Sequence, residues 1–203
     1  MQYGSIRSLM SRRCSFSRFI PFILLQTLLF PTFSPAQTAG TAKEIKVPYA
    51  LAWGDSADKV REMINAVKGR ETSCVEKAPG KVILEAEGLA IGDQLLKKSR
   101  FTFKEGSLTE VELQYGDPSW DGEKTIDFFD RTRRRIDERY GPGTLLVNKT
   151  KEHPAGEKVP EDMNYTLIIY QWVQPTVALE LSYYSIEEKE KSLRLVSLHY
   201  KTP

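Results

Sequence analysis

Cysteine is scarce in this chain: two in 203 residues, Cys14 and Cys74. Histidine is equally scarce, with His153 and His199. No Cys or His partner stands near either histidine at metal-ligand spacing, so the sequence offers no zinc site of that kind. Also missing are the Gly-x-Ser-x-Gly elbow, the glycine-rich phosphate loop and the zinc-helix motif, and with them the usual signatures of hydrolases and nucleotide enzymes. Charge of one sign is lacking too. Twenty-nine Lys and Arg face 27 Asp and Glu, without the clustered positive field of a nucleic-acid binder. The one basic run, Arg131-Thr132-Arg133-Arg134-Arg135, lies between Asp127 and Asp130 on one side and Asp137 and Glu138 on the other. On a helix those charges pair at i,i+3 and i,i+4, which makes the run a solvated face.

A long apolar run does occur, but at the N-terminus and in the form of an export leader. Arg7, Arg12, Arg13 and Arg18 supply a positive start, Phe19 to Phe33 an apolar stretch, and Ser34-Pro35-Ala36 small residues at the cut. The stretch falls short of the ~20 apolar residues of a spanning helix, and Pro21, Pro31 and Pro35 interrupt it. Residues 1–36 are therefore expected to be a signal peptide cleaved after Ala36, with the product periplasmic or extracellular. The membrane then matters only during export. Ser11-Arg12-Arg13 also fits the opening of a twin-arginine signal, but Phe16 falls one place late.

Cleavage changes the composition. The remaining chain carries 25 basic and 27 acidic residues, because the leader holds four arginines and no acid. Cys14 leaves with it, so Cys74 has no partner for an internal disulfide. A buried apolar thiol is the expectation for Cys74. An intermolecular disulfide is the alternative.

Residues 37–46 are small, polar and charged, the composition of a flexible tether, with order expected from Val47-Pro48-Tyr49. Asp55 is placed to cap a first helix whose apolar stripe is Val60, Met63, Ile64 and Val67, with Gly69 ending it. Strands are expected over 72–77, 81–87, 100–104 and 108–115. Glu105-Gly106 turns the third into the fourth. In the fourth, Thr109, Val111, Leu113 and Tyr115 alternate with Glu110, Glu112 and Gln114, the pattern of a sheet with one dry and one wet face. A longer helix follows over 123–140, stopped by Gly141-Pro142-Gly143. Strands over 144–148, 165–173, 176–184 and 193–201 complete the chain, interrupted by a charged loop over 150–162. The expected class is α+β: a helix plus an antiparallel four-strand meander, repeated twice, with both helices on one face of a curved sheet. The first subdomain would span 47–116 and the second 117–203.

The segment Ala52-Trp53-Gly54-Asp55-Ser56-Ala57-Asp58-Lys59-Val60, with Tyr140-Gly141-Pro142 at a later helix end, resembles bacterial exported domains of the β-lactamase-inhibitor-protein-like fold. It also resembles the small lipoproteins of outer-membrane assembly. The inhibitor's cysteine pairs and the lipoproteins' lipid-bearing cysteine are both absent. The resemblance implies a protein-binding module that uses an open sheet face.

Two groups of residues invite a chemical reading. Asp117, Asp121 and Glu123 offer hard oxygen ligands, though a turn and a helix N-cap explain the same acids. No cofactor and no metal are expected. The strand over 165–173 is apolar on both faces, with Tyr165, Leu167, Ile169 and Val173 on one and Ile168, Tyr170 and Trp172 on the other. It is either covered on both sides or exposes aromatics suited to a binding hot spot. Tyr170, Trp172, Tyr184 and His199 form the candidate binding patch, with Tyr200 as an extension. The functional expectation is a non-enzymatic protein-binding or scaffold module of the cell envelope. A small-ligand or lipid carrier is the alternative. A hydrolase would need Asp117, Asp121, Glu123 and His153 to converge.

Overall fold

In the computed structural model the described residues are 43–151, 163–188 and 191–203. The leader over 1–36, most of the tether, and His153 with most of its charged loop lie outside them.

A 3₁₀ turn, Pro48–Ala50, leads into helix α1, Ala57–Ala66. Strands β1 (Arg70–Ala78) and β2 (Lys81–Glu87) follow, then a short ribbon of β3 (Ala90–Ile91) and β4 (Gln94–Leu95). After β5 (Lys98–Lys104) and β6 (Ser107–Tyr115) comes helix α2, Gly122–Tyr140. The remaining strands are β7 (Thr144–Lys151), β8 (Met163–Gln174), β9 (Val177–Glu188) and β10 (Lys191–Lys201). Eight strands form one antiparallel sheet in the order β1-β2-β5-β6-β10-β9-β8-β7, and β3 pairs with β4 in a separate two-stranded sheet.

This corrects the expected architecture. The fold is a mostly antiparallel β structure with two helices, not a helix-and-four-strand meander repeated twice. Among the described residues, six strands follow α1 and four follow α2. The pairing of β6 with β10, from Val196 opposite Tyr115 to Lys201 opposite Glu110, makes the sheet continuous. The described residues belong to one unit.

Local chemistry explains where the helices begin. In α1 the cap is Ser56, whose Oγ accepts from the Lys59 N–H at 3.3 Å. Asp55, the expected cap, instead accepts from Ala52 N and from Lys59 Nζ, both at 2.8 Å. Asp121 caps α2, accepting from Lys124 N at 2.8 Å. The β5–β6 turn has positive φ at both Glu105 and Gly106, which matches the right-handed twist of the flanking strands.

Register assigns the faces. Leu84, Phe101, Val111, Tyr200, Leu179 and Trp172 stand opposite one another across β2, β5, β6, β10, β9 and β8. All but the half-buried Tyr200 are buried. Val60 and Ile64 of α1, and Phe129 and Ile136 of α2, join the same core. Phe129 packs on Tyr170 and Tyr183 at ring distances of 6.2 and 5.9 Å. Both helices therefore cover this face.

Two further expectations change. Residues 43–46, at the end of the expected tether, are held against the sheet. Ile45 is buried, its N–H donates to Gln174 Oε1 at 2.7 Å, and Gln174 Nε2 donates to the Lys43 carbonyl at 2.9 Å. Cys74 is exposed rather than buried. It lies on an edge strand that the core does not reach, with Arg61 Nη2 at 3.4 Å from its sulfur.

Trp172 closes the end of α2. Its Nε1–H donates to the Gly141 carbonyl at 2.9 Å and to Asp137 Oδ1 at 3.2 Å. Asp137 Oδ1 also accepts from Gly143 N at 2.9 Å. A Cβ on Gly143 would meet the indole at 2.5 Å, inside any real contact. Gly143→Ala is expected to lower stability by about 1–3 kcal/mol through overpacking. Trp172→Ala should cost about 3–5 kcal/mol as a core truncation. Denaturant melts of both variants check this.

Candidate functional site

The face without helices is polar across its middle. Thr144, Gln171, Glu180, His199, Glu112, Arg100, Glu85 and Ser73 stand opposite one another, one from each of the eight strands. Side chains link most of this row. Ser73 Oγ donates to Glu85 Oε2 at 3.1 Å, and Arg100 Nε and Nη2 donate to Glu85 Oε1 at 3.1 and 3.0 Å. Arg100 Nη1 reaches Glu112 Oε2 at 2.9 Å. His199 sits between two carboxylates, with Nε2 3.2 Å from Glu110 and Nδ1 3.9 Å from Glu180. Lys201 Nζ and Gln171 Nε2 both donate to Glu180 Oε1, at 2.6 and 2.9 Å.

This stripe is close to electroneutral. Glu85, Glu110, Glu112 and Glu180 are matched by Lys98, Arg100, Lys104 and Lys201. Charges that already have partners within 4 Å do not require an outside one.

Beside the stripe the same face turns apolar. Leu167, Tyr184 and Leu195 form one row across β8, β9 and β10, and Tyr165, Ile186 and Leu193 form the next. Ile169 borders them on β8, opposite Ser182. Leu193 is 47% exposed, the others are partly exposed, and none belongs to the core or packs against it. A contiguous apolar strip outside the core marks an interaction surface more often than chance does.

The structure divides the four residues of the candidate patch. Tyr170 and Trp172 point under α2. Trp172 is buried, and Tyr170 is held between Phe129 and the Arg133 guanidinium, which lies 5.2 Å from its ring centre. Tyr184 and His199 lie on the open face, in the apolar strip and the polar stripe respectively. Tyr200, the proposed extension, is on the helix face. The reason is register: the two-residue turn at Pro175-Thr176 sets Gln174 opposite Val177, so Tyr184 falls opposite Leu167 and not beside Tyr170. A turn longer by one residue reverses that assignment. Ile186, Leu193 and Leu195 escaped sequence reasoning, although β9 carries the signal in the alternation of Glu180, Ser182, Tyr184 and Ile186.

The acidic segment is dispersed. Asp117 accepts from Ser119 N at 2.7 Å in a turn and lines a cleft of about 360 Å³ with Lys97, Trp120 and Arg194. Asp121 and Glu123 line a different, open surface with Asp127 and Asp130. His153 lies outside the described residues. No protein-family model, curated protein or solved structure matches the chain.

Glu85 gives the polar stripe a pH signature. Partial burial raises its pKa, but hydrogen bonds from Arg100, Lys98 and Ser73 outweigh that and hold it below the ordinary carboxylate value. A depressed folded-state pKa contributes stability above the unfolded value, and this is lost as pH falls through the folded one. Melting temperature should therefore drop as the pH is taken below the usual glutamate range. The drop should be shallower in Glu85→Gln. Arg100→Ala should cost about 1–2 kcal/mol at neutral pH, since cross-strand charge pairs contribute up to about 1 kcal/mol each.

Proposed function

We propose that the protein is an exported, non-enzymatic binding or scaffold module of the cell envelope that takes a protein partner on the open face of its sheet. The observation that carries this reading is the apolar strip of Tyr165, Leu167, Tyr184, Ile186, Leu193 and Leu195, bordered by a charge-balanced stripe. An apolar centre with a polar border is the usual anatomy of a protein interface. Tyr184 supplies an anchor that buries large area and keeps a polar tip. Export rests on the leader pattern of residues 1–36, and the expected compartment is periplasmic or extracellular. The fold suits partner binding, because two helices pack on one side and the other can be altered without opening the core.

Photo-crosslinking tests the assignment. A benzophenone amino acid at position 184 should give a discrete crosslinked species in cells, and Leu195→Asp should remove it while the melting temperature stays within a few degrees. The same probe at the exposed Glu138 of α2 should give none. Equal crosslinking from both faces, or a species indifferent to Leu195→Asp, would count against the open face as the interface.

A further inference from the structure

The helix face holds a second feature unconnected with the strip. Between α2 and the β3–β4 ribbon lies a cleft of about 230 Å³. Its apolar lining comes from Phe128 and Ile136 of α2 and from Leu179 and Leu198 of the sheet. Its polar lining is unusually rich in hydrogen-bond donors: the phenols of Tyr115, Tyr140 and Tyr200, with the guanidinium groups of Arg135 and Arg139.

Among the described residues these donors have no hydrogen-bond acceptor. Burial, and then the nearby Tyr49, push the Tyr115 phenol well above its ordinary pKa. Tyr200 is raised by burial and then by Tyr115, Tyr140 and Tyr49, against a lowering by Arg139. No hydrogen bond contributes in either case. Both phenols thus stay protonated across physiological pH, and the groups named are close enough to feel one another's charge. Tyr49 continues the cluster into the protein. Its buried hydroxyl lies beside that of Ser99, and its backbone is left-handed at φ 61°. Donors that line a cleft without a described protein acceptor can pair with a ligand there.

Charge supports the same reading. Arg139 stacks on the Tyr140 ring, its guanidinium carbon 5.5 Å from the centroid, which limits its rotamers in advance of any ligand. Neither Arg135 nor Arg139 forms an ion pair with a described residue. Asp93 on the ribbon turn is the one acid among the described lining residues, so the two arginines leave the cleft net positive. A space of this size is below the usual range for drug-sized ligands, about 300–1,000 Å³, and excludes a two-chain lipid.

We propose that this cleft binds a small amphipathic organic anion, its carboxylate received by Arg139, Tyr140 and Tyr200 and its apolar body laid on Phe128, Ile136 and Leu198.

The test compares octanoate with 1-octanol, which share an apolar chain and differ in the charged head. Calorimetric titration of the purified protein should show saturable octanoate binding, with 1-octanol at least about tenfold weaker, the loss of one charge-assisted contact. Arg139→Gln should weaken octanoate by about the same factor and leave 1-octanol unchanged. Tyr200→Phe, which keeps the ring, provides a second variant with the packing intact. Circular dichroism melts establish that both variants fold. Equal affinity for acid and alcohol, no saturable binding of octanoate, or octanoate binding indifferent to both substitutions would overturn the proposal. The strip on the opposite face is untouched by either variant, so crosslinking from position 184 should persist whatever the outcome here.

Discussion

The pairing of β6 with β10 is the constraint on which the rest of this protein depends. It is the seam between the strands that follow α1 and those that follow α2. Across it Tyr115 faces Val196, Leu113 faces Leu198 and Val111 faces Tyr200. Those contacts set the parity of every strand on either side. With the parity fixed, both helices must sit on the same face, since Leu84 and Phe101 on one flank and Leu179 and Leu181 on the other present their apolar sides together. The opposite face then becomes continuous, and a polar row can cross all eight strands.

A sheet of this width has to remain ordered on a side that no helix covers. The polar stripe does this with paired charges, because cross-strand pairs stabilise a half-exposed sheet without needing apolar burial. Its edges are also protected. β1 carries Arg70, Glu71, Glu76 and Lys77, and β7 carries Lys149, charges that discourage edge-to-edge pairing. The apolar strip on β8–β10 departs from this pattern, and that departure is what singles it out.

Much of the fold was legible because its elements obey local rules. Val60 and Ile64 at helical spacing marked α1, Asp121 and Gly141 bounded α2, and the alternation from Thr109 to Tyr115 marked β6. What was not legible depends on distant partners. The seam joins strands more than 80 positions apart, as the pairing of Val111 with Tyr200 shows, and no local signal encodes it. The β3–β4 ribbon is two residues per strand around Gly92-Asp93, short enough to escape a search for alternation, although that dipeptide is a turn signal. Cys74 has the composition of a buried site but sits on an edge. The binding candidates divided between faces because the number of residues in the turn at Pro175-Thr176 decides which side Tyr184 takes. Aromatic content in β8 was thus a sound signal of packing and a poor one of exposure.

Native-state amide exchange across a denaturant series tests the single-sheet architecture most directly. If the seam makes one cooperative unit, the slowest amides of β2 and β5 should open with the same free energy as those of β8 and β9, converging on global unfolding. Two distinct opening free energies, one for the strands before α2 and one for those after it, would contradict a continuous sheet held at β6 and β10.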